Sequence, residues 1–297
     1  MAHVLTLVAP PGALDPALVA RARTALDALG IAPGTPDWLS EREAADIPFQ
    51  GAPDQAVAAA RAALSDAPVD AIATPAEGRR KRLLIADMDS TIIIGETLDE
   101  LAAFAGLGEK IAAITARAMN GELDFKDALR ERVGMLKGLS VDALEQTWRQ
   151  IRLTPGALEL VATMRAHGAY TALVSGGFTY FTSRVAALAG FDLHRSNTLL
   201  DDGSTLTGEV GEPILDRSAK LATLRELAAT HALPLSNALA TGDGANDLDM
   251  LLAAGLGVAF HAKPIVAAAA KARVDHADLR ALLFAQGYPA CSFAAAD

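Results

Sequence analysis

The sequence predicts an α/β protein: a doubly wound parallel sheet carrying a mostly helical insert, preceded by a small α/β sandwich. Three observations predict it. From residue 83 onward strand-like apolar runs alternate with helix-period segments. The run at 83–88 is apolar on both faces, as a parallel sheet interior requires. A long helical stretch, broken only by turn residues, separates this first core strand from the next.

The elements follow in order. HVLTLVA at 3–9 reads as a strand stopped by Pro10, Pro11 and Gly12. Asp15 to Leu29 is an amphipathic helix with Asp15 as N-cap, Pro16 at its first position and Gly30 closing it. Pro33, Gly34 and Pro36 break the chain. Residues 37–50 hold two short strands or irregular structure, 52–64 a second helix, and VDAIAT at 69–74 another strand. Residues 1–78 thus form the sandwich; it has no clustered His, Cys or paired acids, and its acids are scattered as on a solvated face. The basic cluster Arg79 to Arg82 reads as a solvated linker.

The second unit, 79–297, opens with the strand at 83–88 and carries the helical insert at about 95–151. Helix 155–166, strand 169–174, helix 178–189, a short strand and hairpin near Asp202-Gly203, helix 218–229, strand 236–241, helix 246–254 and strand 256–260 follow.

The 297 residues, 51% of them hydrophobic, suffice for two cores and exclude a mainly disordered chain. The apolar stretch at 258–270 is interrupted by His261, Lys263 and Pro264, so no membrane span is expected. No basic leader opens the first twenty residues, and cytoplasm is the expected location. Cys291 is the only cysteine, which excludes an intrachain disulfide and a thiolate metal cluster. A net charge of −10 argues against nucleic acid as a partner. It permits a small phosphorylated substrate where a divalent cation reverses the local field.

LLIADMDST at 83–91 ends its apolar run on Asp87 and Asp89. In open parallel sheets ligands bind at the carboxyl ends of strands, and two other groups stand at such ends: Ser175-Gly176-Gly177 after ALV, and Asp243, Asn246 and Asp247 in TGDGANDLD. Acids drawn together raise one another's proton affinity unless a cation sits among them, and Mg²⁺ suits carboxylates plus phosphate. Asp87 can then attack phosphorus and form an acyl phosphate, with Asp89 as general acid and then base, carrying its proton because of its acidic neighbours. Ser175 and the Gly176 and Gly177 amides can hold phosphoryl oxygens, since glycine lets backbone approach closely. Lys220, in the first turn of its helix, gains nothing from the helix dipole and is better explained by neutralising phosphate and Asp87.

With DMDST, SGG, Lys220 and GDGAND in this order, the chain resembles the phosphoserine phosphatases of the haloacid dehalogenase (HAD) superfamily, in the bacterial type with an N-terminal ACT-like domain. The resemblance implies a Rossmann-like core with a helical cap, and Mg²⁺ held by the Asp87 carboxylate, the Asp89 carbonyl and Asp243. It places Asp247 just outside, holding metal waters or Lys220, and Asn246 near phosphate. Through GETLDELA and NGELDFKDALRERV it assigns Glu96 to a substrate ammonium, Arg132 to a carboxylate, and Met119 and Phe125 to apolar packing. The function implied is hydrolysis of O-phospho-L-serine, the last step of serine biosynthesis, with a homodimer as assembly and serine as a candidate effector. Two alternatives stay open: phosphotransfer to homoserine or another alcohol, and a non-catalytic amino-acid-sensing protein. The scattered histidines, and Asp99, Glu100 and Asp249, are read as surface, core or capping residues.

Overall fold

The computed structural model describes residues 2–119 and 123–295. The first part of the chain runs β1 (Ala2–Val8), α1 (Pro16–Ala28), β2 (Asp37–Ser40), β3 (Ala44–Gln50), α2 (Pro53–Ala63) and β4 (Asp70–Pro75). The strands form an antiparallel sheet of order β2-β3-β1-β4. Asp15 caps α1 through its carboxylate, which accepts from Ala17 N at 2.9 Å, and Pro16 supplies the fixed φ of the first turn. Residues 37–50 thus resolve into strands. The period-2 alternation places Leu5, Leu7, Ala45, Ile47, Phe49 and Ala71 on one face, packed under Val19, Ala22 and Leu26 of α1 and Ala56 and Ala60 of α2.

The opposite face overturns two expectations. Glu43, Asp46 and Asp70 are buried rather than solvated, because that face packs against the C-terminal part of the chain; Val8, Ala44 and Ile72 join the apolar cluster that holds Leu282 and Phe284. Nor is Arg79 to Arg82 a solvated linker throughout. Arg79 ion-pairs Asp46 at 2.5 Å and donates to Thr6 Oγ1 at 2.9 Å, while Lys81 is buried with its ammonium on the Gly78 and Ser236 carbonyls at 2.8 and 3.0 Å. Both cations meet acceptors that the second unit and the sheet bring to them, so burial costs them no hydrogen bonds.

The second part runs β5 (Leu83–Ala86), α3 (Thr97–Phe104), α4 (Gly108–Met119), α5 (Phe125–Gly134), α6 (Asp142–Gln150), α7 (Ala157–Ala166), β6 (Tyr170–Phe178) and α8 (Thr179–Ala189). It continues through β7 (Leu193–Asn197), β8 (Leu199–Asp201), β9 (Leu206–Val210), α9 (Arg217–Thr230), β10 (Ala238–Gly242), α10 (Leu248–Ala253), β11 (Leu256–Phe260), α11 (Pro264–Ala269), β12 (Ala272–Val274) and α12 (Ala281–Ala285). Six strands make a parallel sheet of order β12-β11-β10-β5-β6-β7. In β5, Leu84 and Ala86 enter one apolar cluster and Leu83 and Ile85 another, which is why the strand is apolar on both faces.

Chain order reverses between β5 and β10. The connection after β5 leads to β6 and β7 on one side, while β10 starts the other half, so their carboxyl ends flank the crevice where doubly wound sheets bind ligands. Helices α3 to α6 form the cap above these ends, and β8 and β9 make a hairpin beside it, tied by Gly138 N to Leu206 O and Leu206 N to Leu139 O, both at 2.9 Å. Short elements depart from the sequence expectation. β5 stops at Ala86 because the chain turns through Met88–Ile92, closed by Ile93 N on Met88 O at 3.0 Å. β6 runs on to Phe178, absorbing Ser175-Gly176-Gly177 in an irregular end where its register with β7 shifts. Elements α11, β12 and α12 are too short to leave a periodic trace and were not expected. Among the described residues no helix is long and apolar enough to cross a membrane.

Candidate active site

The loops after β5 and β10 bring Asp87, Asp243 and Asp247 together. All three are buried, and one carboxylate oxygen from each lies within 4.8 Å of the others. Lys220 enters from the first turn of α9, 2% exposed, with Nζ 2.7 Å from Asp87 Oδ1 and 2.6 Å from Asp247 Oδ1. Met88 N also donates to Asp87 Oδ1 at 2.8 Å, fixing that carboxylate, and Gly244 N donates to Asp247 Oδ2 at 3.0 Å. Burial pushes Asp243 up to about 7, helped by the Asp87 and Asp247 charges. Asp247 also rises to about 7, through burial first and Asp87 second, against the pull of Lys220. Burial works against the Lys220 charge, yet Asp247 and Asp87 hold its proton more tightly than in a free lysine.

Three buried oxygen-donor acids with one cation among them are electrostatically incomplete, and hard oxygen donors at this spacing fit a hard divalent ion. Asp247 therefore lies inside the carboxylate cluster as well as on Lys220. The Asp89 side chain lies outside the cluster.

Asp89 lies in the turn after β5 and borders the cavity, half-buried. Its Oδ1 accepts from Thr97 N at 2.8 Å, and Ser175 Oγ stands 3.4 Å from Oδ2. Its carboxyl is pushed up to about 8, chiefly by burial and next by Glu96, with Asp87 contributing less. The crowding of acids expected from sequence is thus secondary to desolvation. Ser175 Oγ accepts from Gly177 N at 2.8 Å. Both glycines sit where a side chain would crowd its neighbours. A Cβ on Gly176 would lie 3.2 Å from Phe125 Cζ, and one on Gly177 would lie 3.0 Å from Asp89 Oδ2.

The cap closes the site into a cavity of about 410 Å³ that Asp87, Asp89, Glu96, Phe125, Arg132 and Asn246 all border. Arg132, on α5, is held by Nη1 to Thr115 Oγ1 at 3.1 Å and Nε to Ala128 O at 3.2 Å. Burial lowers its proton affinity, which the Asp99, Glu96 and Asp89 charges partly restore. Glu96 Oε1 accepts from Ser90 Oγ at 2.8 Å, and burial raises its proton affinity. The side chain of Met119 lies outside the described residues.

Sequence reasoning missed three contributors. Ser90, which orients Glu96, sits at φ +53, an uncommon conformation for a residue with a side chain, and nothing in DMDST signals it. Thr115 carries no signal. Lys263 borders the cavity with Nζ 3.8 Å from Asp243 Oδ2, and as the residue before Pro264 it begins a helix against the dipole, the same signal that singled out Lys220.

Comparison with known proteins agrees with this geometry. The description of the haloacid dehalogenase-like hydrolases matches residues 84–252. A phosphoserine phosphatase of Streptomyces coelicolor is 42% identical over 239 residues, 80% of this chain and 58% of that one. Across this and two further curated relatives the chain spans 58% to 64% of their length. The crystal structure of a HAD family hydrolase from Salmonella enterica superposes with a TM-score of 0.84 at 30% identity, covering 95% of this chain and 97% of that one. A structure described as a phospho-aspartyl intermediate analogue of phosphoserine phosphatase superposes with a TM-score of 0.65 at 38% identity, covering 69% of this chain and 98% of that one. The motif residues at the ends of β5, β6 and β10 lie inside the matched span, and the chain belongs to the haloacid dehalogenase-like hydrolase family.

Proposed function

We propose that this chain is a phosphoserine phosphatase, hydrolysing O-phospho-L-serine to serine and phosphate in the last step of serine biosynthesis. The observation that carries the reading is the cavity itself, where Glu96 and Arg132 of the cap stand over Asp87 and Asp89 of the core. One acid and one guanidinium can read an ammonium and a carboxylate on the same small molecule, and the guanidinium fork suits a carboxylate bidentately. The names of the curated relatives and of the phospho-aspartyl analogue support the same assignment.

Asp87, oriented by Met88 N and Lys220, attacks phosphorus and forms the acyl phosphate as the serine O–P bond breaks. Asp89 holds a proton at neutral pH because burial raises it, and gives that proton to the leaving serine oxygen. Water then attacks the acyl phosphate while Asp89 takes its proton, and Asp87 returns as a carboxylate. Ser175 and the Gly176 amide steady the phosphoryl oxygens with Asn246, the Gly177 amide instead fixes Ser175 Oγ, Lys220 compensates charge, and Phe125 excludes water. Mg²⁺, held by Asp87, the Asp89 carbonyl and Asp243 with Asp247 beside or among them, would neutralise phosphoryl charge when bound.

In this reading residues 79–297 are the catalytic domain, with the cap at about 95–151. Residues 1–78 are an ACT-like domain that takes part in dimerisation or serine sensing, and the protein works in the cytoplasm without nucleic-acid or membrane partners. The test is turnover across small phosphorylated metabolites with Mg²⁺, measuring phosphate release and transfer to added homoserine. O-phospho-L-serine should be the preferred substrate, with water as acceptor. Arg132→Ala should cost about 2–5 kcal/mol in kcat/KM for phosphoserine and far less for phosphoethanolamine, which lacks the carboxylate. Equal losses on both substrates would overturn the assignment of Arg132.

A further inference from the structure

The loop that follows β11 reaches the active site at one end and, at the other, the segment 275–277 that is bound to the N-terminal sheet. At the active-site end Lys263 grips Asp243 twice: its backbone N–H donates to the Asp243 carbonyl at 3.1 Å, and Nζ lies 3.8 Å from Oδ2. Two residues earlier, His261 adopts φ +43, a left-handed conformation that a residue with a side chain keeps only where its surroundings over-determine it. They do so here. His261 N donates to Val274 O at 2.8 Å, its ring stacks on Phe260, and Nε2 meets Ala277 O at 2.8 Å.

Ala277 is in turn fixed from the other part of the chain. Asp70, the first residue of β4 and 3% exposed, accepts from three successive amides: Asp275 N at 2.7 Å, His276 N at 3.1 Å and Ala277 N at 2.9 Å. A carboxylate on consecutive amides is a charge-assisted clamp, stronger and more directional than neutral bonds. The Asp70 clamp and the His261 contact thus meet on the N–H and C=O of one residue, Ala277, and one residue separates His261 from Lys263.

We propose that Asp70 is a positioning residue for the active site, acting through Ala277 and His261 to set the loop by which Lys263 holds Asp243. The N-terminal sandwich is then a structural part of the acidic centre and not merely an appended module. This rests on the reading of Asp243 as a metal ligand, and the experiment separates the two.

Calorimetric titration of Mg²⁺ into the full chain, alongside steady-state kinetics on phosphoserine, compares the unaltered protein with Asp70→Asn, Asp70→Ala, His261→Ala and His261→Gln. Mg²⁺ affinity should fall about 5-fold in Asp70→Ala and His261→Ala, less than the roughly 10–100-fold that follows loss of a ligand's direct hydrogen-bonding partner. His261→Gln, which retains a side-chain N–H donor, should recover most of it, and kcat should fall with the affinity. Unchanged Mg²⁺ affinity in the folded Asp70 and His261 variants, with only the melting temperature lowered, would overturn the proposal. Should Asp70→Ala not fold, Asp70→Asn and the His261 pair decide by the same criterion. Failure of the unaltered chain to bind Mg²⁺ at all would instead overturn the metal reading on which it rests.

Discussion

At the junction between the two sheets, each buried acid has met its complement: Asp46 has Arg79, Glu43 has Arg280 at 2.8 Å, and Asp70 has three amides. At the ends of β5 and β10, Asp87, Asp243 and Asp247 are equally buried, but Lys220 contacts two of them and Lys263 reaches the third only at 3.8 Å from the cavity wall. Burial alone therefore does not mark a working acid. Both regions bury carboxylates beside cations, and what separates them is the count of partners: in the crevice three acids share one close cation, and burial, helped by the neighbouring Asp87 charge, pushes Asp243 and Asp247 up to about 7.

The largest test of that difference is to remove the central cation from each region. Lys220→Ala should lower turnover by about 10²–10³-fold, the usual loss for one well-aimed charge-stabilising group. Turnover of the folded variant within a few-fold of the unaltered protein would mean that Lys220 serves stability alone.

The two regions were also unequally legible in the sequence. DMDST, SGG and GDGAND stand where apolar strands end, so a local pattern placed them at one edge of a parallel sheet, and Lys220 stood out by opposing its helix dipole. At the junction the partners are remote, Arg79 and Asp46 standing 33 positions apart and Asp70 and Ala277 207 positions apart. In AADIPFQ the alternation correctly puts Ala45, Ile47 and Phe49 on one face, but Asp46 on the other looks like a solvent-facing acid until a second layer covers it. Period-2 patterning reports which face is apolar, not whether the polar face is wet. Ser90 and Thr115 were hidden for a related reason: the hydroxyls that orient Glu96 and Arg132 act through contacts that neither the DMDST pattern nor helix periodicity reports.

Arg79→Ala sharpens the comparison from the junction side. Arg79 and Asp46 have side chains only 12% and 9% exposed, so deleting the guanidinium leaves a buried carboxylate without its counter-ion. The expected cost is about 3 kcal/mol of unfolding free energy, read from urea denaturation, with kcat in the folded protein changed far less than in Lys220→Ala. A stability loss below about 1 kcal/mol would place this pair with exposed ones and remove the contrast between the regions.

The smallest effect turns on pH and separates an incomplete cluster from a satisfied one without altering any residue. Burial raises Asp89, Asp243 and Asp247 to about 8, 7 and 7 in the folded chain, well above the ordinary carboxylate range. The folded state therefore binds more protons than the unfolded chain between about pH 4 and 8, and metal-free stability should fall as pH rises through that window. Lys220, whose proton is held more tightly than in the unfolded chain, contributes stability lost only above the alkaline range and leaves the window untouched. Mg²⁺ competes with those protons, so the slope should flatten when it is present. At 100 times its dissociation constant, measured at pH 8, the ion should add about 2.7 kcal/mol, and the same concentration at pH 5.5 should add clearly less. Melting curves with and without Mg²⁺ at both values check this. Equal Mg²⁺ stabilisation at pH 5.5 and pH 8 would mean that the ion displaces no protons from these carboxylates, and that the crevice acids are as fully paired as those at the junction.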